Sequence, residues 1–141
     1  MERFKFLPLL GRILIGAPFV MSGLGKLAAY GATVGYIAAM GLPVPPLAFV
    51  VAVLTELGGG LLLLSGYRAR VVSLAMAVFC VVTAIFFHHN FADQNQMIHF
   101  LKNVMMAGGL LQIVAFGAGA LSIDNLRAKG GEVPANVRLA G

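Results

Sequence analysis

Four long runs of apolar residues constrain this chain more than any other feature of its sequence. Each run has close to the ~17–25 residues that a helix needs to cross a bilayer core of about 30 Å. Only two charged residues, Arg12 and Glu56, interrupt them. The runs are Leu7–Leu24, Leu47–Leu64, Val71–Phe87 and Val104–Leu121. We therefore predict four transmembrane helices, over about 7–27, 46–64, 71–88 and 102–121.

Composition argues against the main alternative, a large soluble helical bundle. Of the 141 residues, 60% are hydrophobic and 11% are charged, whereas an average soluble domain has roughly 25% charged residues. Four apolar helices in a chain of this length would leave no polar surface to face water. The expected fold class is therefore all-α, an integral membrane four-helix bundle.

The first run has a second alternative, a cleavable signal peptide, because Arg3 and Lys5 precede it. Such a peptide has an uninterrupted apolar region followed by a small-residue cleavage site. Arg12 interrupts the run, and no persuasive A-x-A site follows before Lys26. We therefore expect the first helix to be retained as a membrane span.

The positions of Lys and Arg between the spans predict how the bundle is oriented. With four spans, the N-terminus, the second connection and the C-terminus lie on the same side of the membrane. The basic residues on that side are Arg3, Lys5, Arg68, Arg70, Arg127, Lys129 and Arg138. The other side has Lys26 and Lys102. We expect both termini to be cytoplasmic, so the net charge of +5 follows from topology and gives no support to nucleic-acid binding.

Two segments outside the spans are expected to lie at or beyond the membrane surface. Tyr30–Gly41 is too short and too rich in Gly and Ala to cross the bilayer, which predicts a short interfacial helix between helices 1 and 2. Residues 1–125 are expected to form the membrane domain. Residues 126–141 contain Gly, Pro and charges, and we expect a mobile cytoplasmic tail there.

The stretch FFHHNFADQNQMIHFLKN, residues 86–103, concentrates polar groups between the third and fourth runs. The predicted topology makes it an outer-face hairpin, which is polar because it is exposed to water. Asn90 and Asp93 are expected to cap the loop, and His89 and His99 are interpreted as loop residues.

Glu56 and Arg12 are ionisable residues within spans, where a charge is costly and usually has a partner. Glu56 lies about ten residues from either end of its run, or ~15 Å, which is close to the midplane. Arg12 lies roughly two turns inside the cytoplasmic boundary. One hypothesis is an Arg12–Glu56 ion pair that only fixes helix packing. The other is a lone Glu56 that exchanges protons.

Helical spacing predicts a polar pocket above Glu56 at the outer ends of the spans. Lys26 lies on a glycine-containing face of helix 1 that is expected to look inward. His88, Lys102 and Asn103 lie at the ends of helices 3 and 4, where they can also turn inward. The topology therefore brings these side chains together.

Each of these residues also has a purely structural interpretation. Lys26 and Lys102 can extend to lipid head groups, and the histidines can be ordinary interfacial residues. The histidine spacing matches no standard metal or haem site, so we predict no metal. Cys80 is the single cysteine, so one chain cannot run a dithiol–disulfide cycle. We expect Cys80 to be a small packing residue.

Several short motifs follow one another between about Leu9 and Asp124. In order they are GRILIG, SGLGKL, GLPVP, TELGGGLLLLSGYRAR, FFHHNF, FLKNVMMAGGLL and GAGALSID. In this order and spacing the chain resembles the DoxX family of small four-helix bacterial membrane proteins. The resemblance implies that the family's polar pattern corresponds to Arg12, Lys26, Glu56, His88, Lys102 and Asn103.

The same resemblance implies a multi-pass protein of the bacterial inner membrane that serves a redox system linked to quinones, thiols or sulfur. We expect Glu56 and His88 to exchange protons. The residues expected to bind a quinone head group or a small anion are Arg12, Lys26, Lys102 and Asn103. A soluble redox partner is expected as well, and the oligomeric state is left open.

The chain departs from a clear redox enzyme because it has no CxxC and no identifiable cofactor motif. We expect no covalently bound cofactor, and whether the chain catalyses turnover is left open. The alternative function is a non-enzymatic small-molecule carrier or a membrane scaffold for a soluble partner. A further alternative is that the charges within the spans are wholly structural.

Overall fold

The computed structural model describes residues 4–130, and within that range the chain is all-α and has no strand. Its helices are α1 (Leu7–Ala28), α2 (Tyr30–Ala39), α3 (Pro45–Val53), α4 (Gly59–Ser65), α5 (Ala69–Phe87), α6 (Gln94–Phe116) and α7 (Ile123–Gly130). A π-helical turn, Leu54–Gly58, joins α3 to α4. The helices long and apolar enough to cross a membrane are α1, the continuous run Pro45–Ser65, α5 and α6. The predicted four-helix membrane bundle is confirmed.

The fourth spanning helix differs from the predicted span 102–121. It begins at Gln94 because Asp93 provides an N-cap, with its Oδ1 accepting a hydrogen bond from the Asn95 backbone N at 2.8 Å. It ends at Phe116, where Gly117 takes the left-handed value φ 84°. The predicted loop is therefore shorter, and His99 and Lys102 are helical. The sequence interpretation makes residues 94–101 part of the loop, but polarity does not prevent a capped helix from extending beyond the apolar core.

Helix α7 occupies part of the segment that was expected to be a mobile tail. Residues 126–130 belong to this helix, and the rest of the predicted tail, 131–141, lies outside the described residues. Asp124 anchors the start of α7. Its Oδ1 and Oδ2 accept hydrogen bonds from the backbone N of Arg68 at 2.7 Å and of Ala69 at 2.8 Å.

The short helix α2 follows α1 and packs on α3 and on the end of α5. The ring of Tyr30 meets that of Phe49 edge to face at 4.8 Å, and the rings of Tyr36 and Phe87 are 5.7 Å apart. Ile37 is buried. A separate helix thus forms where the sequence predicted one, and its position in the membrane interface stays a prediction.

The core lies between α1, α4, α5 and α6. It consists of Phe19, Leu63, Met76, Ala77, Cys80, Ala107 and Leu110. Cys80 is fully buried there, which agrees with its predicted packing role. Glycines bring α1 against the Pro45–Ser65 run: a Cβ added at Gly60 would lie 2.8 Å from Val20 Cγ2. Small residues allow this close approach between helices in lipid, where van der Waals packing drives association.

Candidate functional site

Glu56 lies in the π-helical turn Leu54–Gly58, in the middle of the second spanning helix. A π-helical turn within an α-helix is rare and frequently occurs at functional sites. The α1 backbone comes very close to this turn, because a Cβ at Gly23 would lie only 2.8 Å from the backbone N of Leu57. Lys26 follows Gly23 by three residues, so the close contact brings its side chain level with Glu56.

Lys26 and Glu56 form an ion pair across this contact. The Nζ of Lys26 lies 2.9 Å from Oε1 of Glu56 and 2.7 Å from Oε2. The same Nζ donates a hydrogen bond to Ser22 Oγ at 2.9 Å, one turn earlier on α1. The Glu56 side chain is 9% exposed and that of Lys26 is 28% exposed. The carboxylate is therefore the buried end of the pair and the ammonium its outer end.

The two oxygens of the Glu56 carboxylate are not equivalent. Oε1 accepts a hydrogen bond from Lys26. Oε2 is buried and contacts the same ammonium in the ion pair, but it accepts no hydrogen bond of regular geometry within the described residues. Buried polar atoms in proteins are nearly always hydrogen-bonded. A carboxylate oxygen can accept more than one donor, so Oε2, which the ion pair contacts without a regular hydrogen bond, is suited to a further donor from a ligand or from water.

The pair lies on the wall of an open cavity of about 310 Å³. The cavity is lined by Pro18, Phe19, Ser22, Lys26, Glu56, Phe79, Thr83, His88, Asn103 and Met106. Apolar and aromatic walls with a few polar groups are typical of small-molecule sites, which usually measure ~300–1,000 Å³. Four predicted site residues, namely Lys26, Glu56, His88 and Asn103, therefore line one cavity.

His88 and Asn103 are linked to each other through the start of α6. The Nδ1 of His88 lies 3.1 Å from Gln96 Oε1, and its ring stacks on that of His99 at 5.0 Å. Asn103 Nδ2 donates to the backbone O of His99 at 3.0 Å. His99, which was interpreted as a loop residue, thus lies on α6 and supports both lining residues.

The other two predicted binding residues lie away from this cavity. Arg12 is 1% exposed, and its Nη1 donates to the backbone O of Leu63 at 3.1 Å and of Leu64 at 3.0 Å. Its Nη2 donates to the backbone O of Leu121. Lys102 is exposed on α6 and does not line the cavity.

The hypothetical Arg12–Glu56 ion pair does not form, for reasons of geometry. Arg12 precedes Lys26 by 14 residues, or about 21 Å along α1, and Lys26 is the residue level with Glu56. The last carbonyls of α4 lack helical partners, and Arg12 reaches those instead.

The other six lining residues were not among the predicted site residues, namely Pro18, Phe19, Ser22, Phe79, Thr83 and Met106. Ser22 precedes Lys26 by four residues on the same helix face, so i,i+4 spacing was a usable signal for it. Phe79 and Thr83 belong to an apolar run and had no distinguishing signal. Within residues 4–130, no three His, Cys, Asp or Glu side chains cluster as a metal site would require.

Comparison with known proteins identifies the family. The family model described as DoxX matches residues 7–89, more than half of the chain and including Lys26, Glu56 and His88. The chain belongs to the DoxX family. No solved structure matches this DoxX-family protein.

Two curated relatives from Escherichia coli strain K12 are similar over most of the chain. Inner membrane protein YqjF is 42% identical over 118 residues, covering 84% of this chain and 89% of its own length. Inner membrane protein YphA is 33% identical over 121 residues, covering 82% of this chain and 86% of its own. Both relatives are inner membrane proteins, in agreement with the four apolar helices of this DoxX-family protein. The cytoplasmic position of its termini stays a prediction.

Proposed function

We propose that this DoxX-family protein is the membrane subunit of a redox system and that its cavity binds the head group of a quinone or quinol. The observation that carries the proposal is the Lys26–Glu56 ion pair on the wall of an open cavity, in which the buried Oε2 of Glu56 has no regular hydrogen bond. A ligand that fits these groups offers one hydrogen-bond donor and one acceptor close together. A quinol hydroxyl and a quinone carbonyl provide these functions.

The polar groups of the cavity divide into two roles. Lys26 is a donor toward a ligand oxygen, because an ammonium has three N–H groups and no acceptor. Glu56 accepts a proton or a hydrogen bond at Oε2. His88 supplies a second proton-exchanging group. Its Nδ1 carries the proton when it donates to Gln96 Oε1, and its Nε2 is then an acceptor. Asn103 and Ser22 add further polar surface.

Electrons are expected to come from a partner. The single cysteine excludes a dithiol cycle within one chain, so thiol- or sulfur-linked chemistry would be delivered by a soluble redox protein. When bound, the quinone would supply the two-electron chemistry. The residues of this chain would orient the head group and exchange its protons.

Titration of the purified protein tests the proposal. A short-chain benzoquinone and its quinol are added to the protein in detergent micelles, and binding is measured by calorimetry. We expect Glu56→Gln to weaken quinol binding at least about tenfold, because one charge-assisted hydrogen bond contributes roughly 1.5–3 kcal/mol. His89→Ala is the matched control, since His89 is exposed and adjacent to His88 but does not line the cavity.

The alternative functions make different predictions in the same system. If wild-type protein binds neither quinone nor quinol, the redox proposal is wrong. Flux of a small anion into proteoliposomes, abolished by Glu56→Gln, would then support a carrier. Co-purification of a soluble partner without ligand binding would support a membrane scaffold.

A further inference from the structure

A second cavity lies at the opposite end of the bundle, where α5 begins and α6 ends. It has a volume of about 330 Å³ and is lined by Arg68, Arg70, Val71, Gly117, Ala118 and Asp124. Residues of the Lys26–Glu56 cavity take no part in it. Its lining combines two guanidinium groups with a glycine turn, which is a different chemistry from that of the first cavity.

Both arginines are positioned by the chain around them. Arg68 adopts the left-handed value φ 46°, which is uncommon for a residue other than glycine, and its backbone N is bonded to Asp124. Arg70 lies over the turn at Gly117, since a Cβ added there would be 3.5 Å from Arg70 Nε. The two side chains are exposed but converge on one concave surface.

The one acidic residue of the cavity is engaged elsewhere. Both carboxylate oxygens of Asp124 accept hydrogen bonds from backbone N–H groups, those of Arg68 and Ala69. No ion pair joins Arg68 or Arg70 to a carboxylate within residues 4–130. The Arg68 guanidinium lies over the Tyr67 ring, 6.0 Å from its centroid. This contact uses the face of the guanidinium and leaves its N–H groups for an external anion.

Apolar side chains flank the arginines. Val71 is 68% exposed and lines the cavity, and Phe116, adjacent to Gly117, is 80% exposed. Both residues belong to helices that span the membrane, at the ends of those helices. A ligand here would thus meet positive charge at the helix ends and apolar surface immediately beside it.

We propose that this second cavity binds a phosphate group, that of an anionic lipid head group, with the acyl chains against Val71 and Phe116. Arginine is suited to phosphate because its planar guanidinium donates two parallel hydrogen bonds. Basic pockets between spanning helices bind anionic head groups in this way. Free inorganic phosphate carries the same anionic group, so the experiment must distinguish it from a lipid head group.

The experiment counts and ranks bound lipids on the purified full-length chain by native mass spectrometry. The probes are phosphatidylglycerol, phosphatidylcholine and inorganic phosphate. The test variant is the double substitution R68Q/R70Q. The control is R127Q/K129Q, which removes the same charge from exposed positions of α7 that do not line the cavity. Loss of two charge-assisted contacts should weaken phosphatidylglycerol binding at least about tenfold in the test variant only.

Each outcome decides the proposal. Selective retention of phosphatidylglycerol, lost in R68Q/R70Q and kept in R127Q/K129Q, supports a lipid head-group site. Equal competition by millimolar inorganic phosphate supports the phosphate site and assigns it to a soluble ligand. Equal loss in both double variants means that only the overall surface charge matters, and the proposal is wrong. Equal retention of phosphatidylcholine contradicts it too. The thermal unfolding midpoint without added lipid checks that both variants fold.

Discussion

The two ends of the bundle both contain buried charge, but they use it differently. At the α7 end, Arg12 donates to three backbone carbonyls, those of Leu63, Leu64 and Leu121. At the other end, Lys26 and Glu56 pair with each other beside an open cavity, and neither bonds a backbone carbonyl within the described residues. Only Arg12 uses its hydrogen bonds to join backbone segments.

This difference separates a structural charge from a candidate functional one. Helix ends leave carbonyls without partners, and a buried arginine that bonds them fixes how α1, α4 and the segment before α7 meet. The Lys26–Glu56 pair bonds no carbonyl at a helix end, because both of its members are side chains within spanning helices. We therefore expect stability to depend mainly on the α7 end and ligand binding mainly on the cavity end.

The largest expected effect is the loss of stability in Arg12→Ala. The carbonyls of Leu64 and Leu121 would lose the Arg12 donor, and that of Leu63 would keep only the Gly66 N–H. Each unsatisfied buried group costs roughly 1–3 kcal/mol in soluble proteins and less in membranes, and the buried side chain of Arg12 would also leave a cavity. We expect the free energy of unfolding to fall by about 3 kcal/mol, measured by SDS titration in detergent micelles. Arg127→Ala, an exposed position on α7, should change it by less than about 0.5 kcal/mol. Similar losses in both variants would remove the basis for calling Arg12 structural.

A smaller effect is expected from Asp124→Ala. Asp124 accepts two backbone hydrogen bonds, from Arg68 and Ala69, and so joins α7 to the start of α5. Asp93 at the other end accepts one local bond, from Asn95. Loss of a capping side chain costs about 1 kcal/mol, so we expect roughly 2 kcal/mol for Asp124→Ala and about 1 kcal/mol for Asp93→Ala. If SDS titration shows that Asp93→Ala lowers the free energy of unfolding more than Asp124→Ala does, the α7 end contributes less to stability than the other end.

The fold was predictable because hydropathy and length alone define a membrane span. The sequence could not place the start of α6 or the existence of α7, since each depends on the contacts of one aspartate. Asp93 extends α6 to Gln94, and Asp124 anchors α7 to a turn more than fifty residues away. Local polarity favoured loop in both places.

Four members of the candidate site were predictable, but the pairing of Glu56 was not. Topology brought Lys26, His88 and Asn103 to the level of Glu56, and all four line the cavity. Which cation meets Glu56 depends on the axial offset of two antiparallel helices, where one helical turn is ~5.4 Å. That offset follows from the contact of Gly23 with Leu57, which no pattern in the sequence reveals.

The smallest expected change in stability, and the sharpest test of the comparison, comes from the double substitution Lys26→Met with Glu56→Leu. Replacing a buried ion pair by apolar residues of similar volume is often neutral or stabilising, whereas removing one partner leaves an uncompensated charge. We expect the double variant to unfold within about 1 kcal/mol of wild type, the single variants to be less stable, and calorimetry to show no quinol binding in the double variant. If the double variant loses as much stability as Arg12→Ala, the pair is structural after all. In that case the buried charges at both ends of the bundle are structural, and the Lys26–Glu56 pair no longer supports ligand binding in the cavity.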